Sequence, residues 1–344
     1  MTAQAIITDA SEVETQMSVA GGPWGSIHEP IHESITLSAL ISSGYSIAQS
    51  TSVKNASNQD WEYIRGAIWN DDPDCQLFND SAQENHAYST GVTWLYYYNQ
   101  GKSEWNPEDL DGSRMKNPIG RSHYGDLQFL HCMASTIGEE PTKTKEKVML
   151  WMEVMYKLAN SEDGITPDTE VQNTKLEQFF PFMSLPPRFK SLSYMLAKAS
   201  NFQGLDIRRR ALGSMFHVIQ DSYAIGHTQR TLLNPQDRVS IHPLKFNHGT
   251  ADRWGAIESF HTYSGQDSNA HSHYDHASDG VPDPENLGNL NQWNDLIGCR
   301  DAVDNCKVLA ALSRDGKKWE DAKGFLDEVF AISPNARPAN NRVL

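Results

Sequence analysis

The sharpest pattern of possible metal ligands in this chain is the segment HVIQDSYAIGH, residues 217–227. His217 and Asp221 are four residues apart, so on a helix they project from one face with their Cβ atoms about 6 Å apart. An imidazole and a carboxylate at that separation can bind one metal ion, and His227 could serve a neighbouring ion. A capped helix with a His–Asp hydrogen bond would give the same pattern, so the segment needs support from elsewhere.

Four other segments supply matching side chains. His28 and His32 are again four residues apart, and Asp71 begins the three carboxylates of the loop WNDDPD. His271 and Asp275 repeat the HxxxD spacing within a polar stretch. The candidate ligands that these segments add are His28, His32, Asp71, His123, His271 and Asp275.

Imidazole and carboxylate ligands in such a mixture suit Zn²⁺ better than manganese or iron, and no thiolate is needed. The candidates are too numerous for one tetrahedral ion and sufficient for two or three zinc ions per chain. Bridged cations lower the pKa of a shared water to about 7 and hold the oxygens of a phosphoryl group. The ligand set therefore points to hydrolysis of a phosphate ester.

The elements that position these ligands must be helices, because the sequence shows helical periodicity and little strand-like alternation. We predict an all-α fold, a single multi-helix domain over residues 23–335 with long polar loops, preceded by a loose arm (1–22) and followed by a polar tail (336–344). His131 lies on the apolar face of a predicted helix, and we interpret it as a packed core histidine. The predicted helices cover residues 30–48, 127–136, 145–159, 188–200, 205–225, 293–312 and 317–331.

Charge and cysteine content exclude several classes of protein. The 344 residues carry 29 Lys and Arg against 44 Asp and Glu, a net charge of −15, so we expect no stable nucleic-acid complex. The four cysteines are too few for a disulfide scaffold. Cys299 and Cys306 would lie about 10 Å apart on one helix, beyond disulfide reach. No apolar run approaches a membrane span, and the N-terminus shows no Sec signal.

The order of these segments resembles the zinc-dependent phospholipase C family and its relatives, the fungal zinc-dependent single-strand nucleases. In that family a Trp and a His near the N-terminus are followed by a loop Asp, a Ser-His-aromatic segment, HxxxDxxxxxH, and then HxxxE or HxxxD. The HxxxDxxxxxH element matches here in spacing. The counterparts, between residues 24 and 275, are Trp24, His28 or His32, Asp71, His123, His217, Asp221, His227, His271 and Asp275.

The resemblance implies an all-α fold around a trinuclear zinc site that hydrolyses phosphodiesters. It further implies that Asp71 orients or deprotonates the attacking water. The ligand sets it implies are Asp71, His123, His217 and Asp221 for one ion; His227, His271 and Asp275 for a second; and His32 with a bridging Asp221 for the third.

The chain departs from the family pattern at the N-terminal ligand and at the Ser-His-aromatic segment. The family's Trp is the mature N-terminus and binds through its α-amino group, whereas Trp24 is internal here. Either the first 23 residues are removed, or His28 replaces the amine. His86 lies closer to the family's spacing than His123 does, but the sequence around His123 resembles the family's motif better.

A third departure concerns the last pair of ligands. His248 and Asp252 also have HxxxD spacing and lie nearer to the HxxxDxxxxxH element. His271 and Asp275 lie in a segment richer in polar side chains, and we prefer them.

The resemblance favours a secreted or translocated phospholipase C that cleaves a phospholipid, phosphatidylcholine by preference, to diacylglycerol and a phosphorylated head group. An acidic surface fits a zwitterionic lipid and a transient contact with the membrane surface. Trp94 and Tyr96–Tyr98 could form an aromatic box for a quaternary ammonium group, or could pack in the core. The alternatives are a single-strand nuclease or nucleotidase, and a non-catalytic zinc-binding helical protein.

Overall fold

A computed structural model of the chain describes residues 31–45, 47, 52–77, 92–104, 117–180, 189–198, 205–233, 239–241, 244–246, 254–263, 265–266, 283, 285–294 and 298–342. The α-helices within these ranges are α1 (Ile31–Ser43), α2 (Asn58–Trp69), α3 (Val92–Glu104), α4 (Pro118–Tyr124), α5 (Pro141–Asn160), α6 (Leu192–Ala197), α7 (Ile207–Asp221), α8 (Cys299–Arg314) and α9 (Trp319–Val329). Short 3₁₀ helices occupy Val53–Asn55, Gln128–His131, Val171–Asn173 and Leu290–Trp293.

The described part of the chain is mostly helical, as the periodicity predicts. It also contains two small antiparallel sheets, which the scarcity of strand-like alternation did not predict. Strand β1 (Thr228–Leu232) pairs with β4 (Trp254–Phe260), and β2 (Val239–Ile241) pairs with β3 (Leu244–Phe246). The arm predicted for residues 1–22 lies outside the described residues.

Helix α7 lies at the centre of the bundle and packs against α1, α2, α5, α6 and α8. Every residue from Arg210 to Asp221 is buried. Leu212, Phe216 and Ile219 form an apolar stripe at helical spacing in the sequence, and all three are inaccessible to solvent or nearly so, which explains the arrangement. The helix ends at Asp221 rather than at the predicted residue 225, and turns follow before β1.

The structure differs from the prediction in two segments, residues 127–136 and the C-terminal tail. The helix predicted from residue 127 to 136 is only one 3₁₀ turn, because Cys132 takes a left-handed conformation (φ 52°) and ends it after His131. The predicted polar tail is packed against β4, where the Arg337 amide donates to the Glu258 carbonyl (2.8 Å) and the Thr262 amide donates to the Asn340 carbonyl (2.9 Å).

The cysteines and the helix lengths bear on two expectations from the sequence, namely that the chain has no disulfide scaffold and no membrane span. Cys299 and Cys306 both lie on α8, and all four cysteines are free thiols. Among the described helices, none combines the length and the apolar composition that a bilayer crossing requires.

Two glycines allow α2 and α7 to touch backbone to backbone. A Cβ atom at Gly213 would overlap the carbonyl oxygen of Tyr63, and one at Gly66 would overlap the carbonyl oxygen of Arg210. Because these neighbours are backbone atoms, no change of rotamer could make room. The contact therefore fixes how closely the C-terminal half of α2 lies to the first half of α7.

The variant Gly213→Ala should force these helices apart and lower the free energy of unfolding by about 1–3 kcal/mol, the usual cost of overpacking. Urea denaturation measures the change. Gly324→Ala in α9 is the matched control, because nothing lies within 4 Å of its Cβ position. It should stabilise the protein by about 0.5–1 kcal/mol through helix propensity. Equal stability of the Gly213 variant and the native protein would contradict the close contact.

Candidate metal centre

Five side chains converge beside the C-terminal end of α7. His32 comes from the first turn of α1, Asp71 follows α2, His131 ends a 3₁₀ helix, and His217 and Asp221 lie one turn apart on α7. Together they form two overlapping groups, each with one ligand atom per residue and all such atoms within 4.8 Å of one another. The two groups are His32, His217 and Asp221, and Asp71, His131 and His217.

The Asp221 carboxylate is the centre of this cluster. Its Oδ2 atom lies 2.8 Å from His217 Nε2 and 3.0 Å from His131 Nδ1, while its Oδ1 lies 3.5 Å from His32 Nε2. His217 Nε2 and His131 Nδ1 are themselves 3.0 Å apart. Asp71 completes the group from the other side of the histidines, at 3.8 Å from His131 Nδ1 and 3.9 Å from His217 Nδ1.

Burial and charge together decide the protonation of these groups. Burial alone would raise the pKa of Asp221, but the charges of His217 and His227 and the hydrogen bonds from His131 and His217 hold it well below its usual range. Burial lowers the pKa of His131 to about 4. Burial would also lower the pKa of His217, yet the Asp221 and Asp71 carboxylates hold it above its ordinary value. Near neutral pH the centre thus contains an ionised Asp221 and a neutral His131.

The two groups could each hold a metal ion. His131 Nε2 and His217 Nδ1 are buried, and neither has a hydrogen-bond partner among the residues described. Buried polar nitrogens are nearly always satisfied, so each of these two nitrogens is one that a cation would satisfy. Nitrogen and carboxylate oxygen are also the ligands that zinc binds in proteins. The residues therefore fit a zinc-type divalent cation.

Solvent reaches the cluster at His32 and at Asp71. The side chains of His32 and Asp71 are 21% and 18% exposed, whereas those of His131, His217 and Asp221 are 6% exposed or less. A substrate would therefore meet His32 and Asp71 first, with the other three residues behind them.

A buried network holds the elements that carry these residues. Asn70 Nδ2 donates to the Leu130 carbonyl (2.6 Å), and Ser214 Oγ donates to Asn70 Oδ1 (2.6 Å). Trp151 Nε1 donates in turn to Ser214 Oγ (3.1 Å). The residues before Asp71 and His131 and the middle of α7 are therefore tied to one another by hydrogen bonds.

Helix α3 forms the wall beside Asp71. Trp94 Nε1 donates to the Asp71 carbonyl oxygen (2.9 Å), and the Trp94 and Tyr98 rings stack in the core at 5.1 Å. Tyr96 is exposed on the opposite face of the helix. These residues therefore support the site by core packing, and they do not form a common aromatic box.

Two further predicted ligands lie near the cluster. His227 Nδ1 is 3.3 Å from Asp221 Oδ2 and donates to the His131 carbonyl oxygen at 2.8 Å. His123 packs against the His131 ring with a centroid distance of 5.2 Å, and its Nδ1 donates to the Ile119 carbonyl (2.9 Å). The other candidates lie outside the described residues: Trp24, His28, His86, His248, Asp252, His271 and Asp275.

Sequence reasoning missed His131 as a member of this group. Its predicted apolar surroundings are real, since the residue is buried. Burial, however, does not distinguish a packed histidine from one that faces two carboxylates. His261 lies outside both groups; it is buried just after β4, and its backbone amide donates to the His227 carbonyl (2.8 Å). No local spacing pattern in the sequence marks either residue.

Comparison of the chain with protein-family models, with curated proteins and with solved structures found no match.

The pKa of His131 predicts how stability depends on pH in chelator-treated protein. Because its pKa falls from about 6.5 when unfolded to about 4 when folded, the unfolded chain binds more protons between these values. The free energy of unfolding should therefore decrease as the pH falls from 6.5 to 4, with His131 contributing about 1.4 kcal/mol per pH unit. His217 does not oppose this trend. Its pKa is raised in the folded protein, so the stability that it contributes is fully present below pH 6.5.

Urea titrations of the native protein and of His131→Asn across this range measure the contribution. The variant should show the shallower pH dependence, whatever its absolute stability. Parallel profiles for the two proteins would show that His131 is not held neutral by burial.

Proposed function

We propose that this protein is a zinc-dependent phosphodiester hydrolase of the phospholipase C type, acting on a zwitterionic phospholipid such as phosphatidylcholine. The observation that carries the proposal is a partly exposed Asp71 carboxylate beside the buried group of His131, His217 and Asp221. The order of the candidate ligands along the chain supports it through the family resemblance. The products would be diacylglycerol and a phosphorylated head group.

The residues that would hold the cations are those of the two overlapping groups, namely His32, Asp71, His131, His217 and Asp221. Bound divalent cations supply the positive charge that polarises a phosphoryl group and lowers the pKa of water. Asp221 and His217 are buried, so their part is to bind and to hold the geometry. The resemblance gives two to three zinc ions per chain, with His123 and His227 as further ligands.

Asp71 is the residue placed to move a proton. Its carboxylate is the most accessible carboxylate of the cluster, and its backbone is fixed by hydrogen bonds from its own amide to Ile68 and from Trp94 to its carbonyl. A carboxylate held in this way can orient a water molecule and accept its proton as the water attacks phosphorus. We assign Asp71 the role of general base.

Net charge supports the choice of substrate. At −15 the protein would repel a polyanion, whereas a zwitterionic head group carries no net charge against it. We propose a transient contact with the lipid surface and, on the same resemblance, a site of action outside the cell. A single-strand nuclease of the same family would use the same ions and the same chemistry as a phospholipase C, so the substrate distinguishes the two.

Assays of a chromogenic choline phosphodiester and of single-stranded DNA, each with and without chelator, decide between these functions. We expect chelator-sensitive hydrolysis of the choline ester and little cleavage of DNA. The reverse preference would favour the nuclease. Zinc bound at two to three ions per chain without turnover of either substrate would favour a non-catalytic zinc-binding protein.

Asp71→Asn should reduce turnover by about 100-fold or more, the effect of removing a general base, while leaving the fold intact. Asp74→Asn is the matched control, since it makes the same change three residues away in the same loop. Asp74 faces Lys198 (3.5 Å) and lies outside both ligand groups, so its variant should keep nearly full turnover. Full activity of the Asp71 variant would refute the assignment.

A further inference from the structure

The imidazoles around this centre share one feature of hydrogen bonding. His123 Nδ1 faces the Ile119 carbonyl oxygen at 2.9 Å, and His227 Nδ1 faces the His131 carbonyl oxygen at 2.8 Å. A carbonyl oxygen only accepts hydrogen bonds, so each Nδ1 must carry the proton. In both rings the lone pair is therefore on Nε2.

His32 is held in the same way, but by a side chain. Its Nδ1 lies 2.6 Å from Gln220 Oε1. The other end of the Gln220 amide, Nε2, donates to Thr36 Oγ1 at 3.0 Å. Gln220 and Thr36 are both buried, so this arrangement is shielded from water.

The His32 ring makes further contacts within the cluster. Its Nε2 faces Asp221 Oδ1 at 3.5 Å, and the ring stacks on His217 with centroids 4.3 Å apart. His32 is also the most exposed histidine of the two ligand groups. Burial therefore constrains the tautomer and the rotamer of His32 less than those of His131 and His217. The hydrogen bond with Gln220 is placed to fix them.

We propose that Gln220 is a positioning residue, which holds His32 as the Nδ1–H tautomer and so directs the Nε2 lone pair toward the metal centre. This role rests on the proposed function only in so far as a metal is bound. Partners of metal-binding histidines that fix the tautomer typically change metal affinity by 10- to 100-fold when removed. Gln220 would supply through an amide what the backbone supplies to His123 and His227.

The first test is independent of any metal. In chelator-treated, ¹⁵N-labelled protein, the imidazole nitrogen shifts should show His32 with its proton on Nδ1. Gln220→Leu should lose this preference, while Gln220→Glu, which keeps an oxygen acceptor at this position, should restore it. Proton placement on Nε2 of His32 in the native protein would overturn the proposal.

The second test measures zinc binding by calorimetric titration. Gln220→Leu should weaken the affinity of at least one zinc ion by 10- to 100-fold, and Gln220→Glu should recover most of it. Gln178→Leu is the control for loss of a glutamine, because that side chain is exposed and, within the described residues, donates to the Lys175 carbonyl. Unchanged zinc affinity of Gln220→Leu would also overturn the proposal.

The outcomes separate this inference from the proposed function. If the native protein binds no zinc, the hydrolase proposal fails, while the nitrogen shifts still decide whether Gln220 fixes the His32 tautomer. If Gln220→Leu does not fold, Thr36→Val takes its place. This variant frees the amide to rotate and should give a mixture of His32 tautomers, and a single unchanged tautomer would count against the proposal.

Discussion

The interaction on which the site depends is that of one buried carboxylate with the histidines around it. Asp221 lies in the protein interior at the end of the central helix, where an isolated charge would be costly. It stays ionised because His217, His131 and His227 surround it at 2.8–3.3 Å. The same contacts bring together the imidazoles that a cation would bind, so the charge that must be compensated also organises the ligands.

The helix packing gives this carboxylate its neighbours. Glycine at positions 66 and 213 lets α2 meet the first half of α7 along the backbone, and Asp71, which follows α2, lies 3.9 Å from His217 one turn further along α7. Asn70 then joins the 3₁₀ helix that carries His131 to the same place. Each ligand is thus borne by an element that is fixed by core packing or by a buried hydrogen bond, and rigid support of this kind is what a precise metal site requires.

The hydrogen bonds around the imidazoles add a second level of control. Backbone carbonyls set the tautomers of His123 and His227, and a side-chain amide faces His32. The difference matters because a backbone carbonyl is present whatever the sequence, whereas Gln220 can be exchanged. If the centre binds a metal as proposed, a substitution at Gln220 would adjust its affinity through His32 without changing a ligand.

The sequence by itself determined the helical character of the chain, the apolar stripe of α7 and the pairing of His217 with Asp221. These features depend on spacing along one helix, and helical geometry turns a spacing of four residues into spatial proximity. Only the tertiary structure decided that His131 faces Asp221, that Gln220 meets His32 and that residues 336–342 pack on β4. Such contacts join residues up to 188 positions apart, and no local periodicity records them, because they follow from how closely the helices pack.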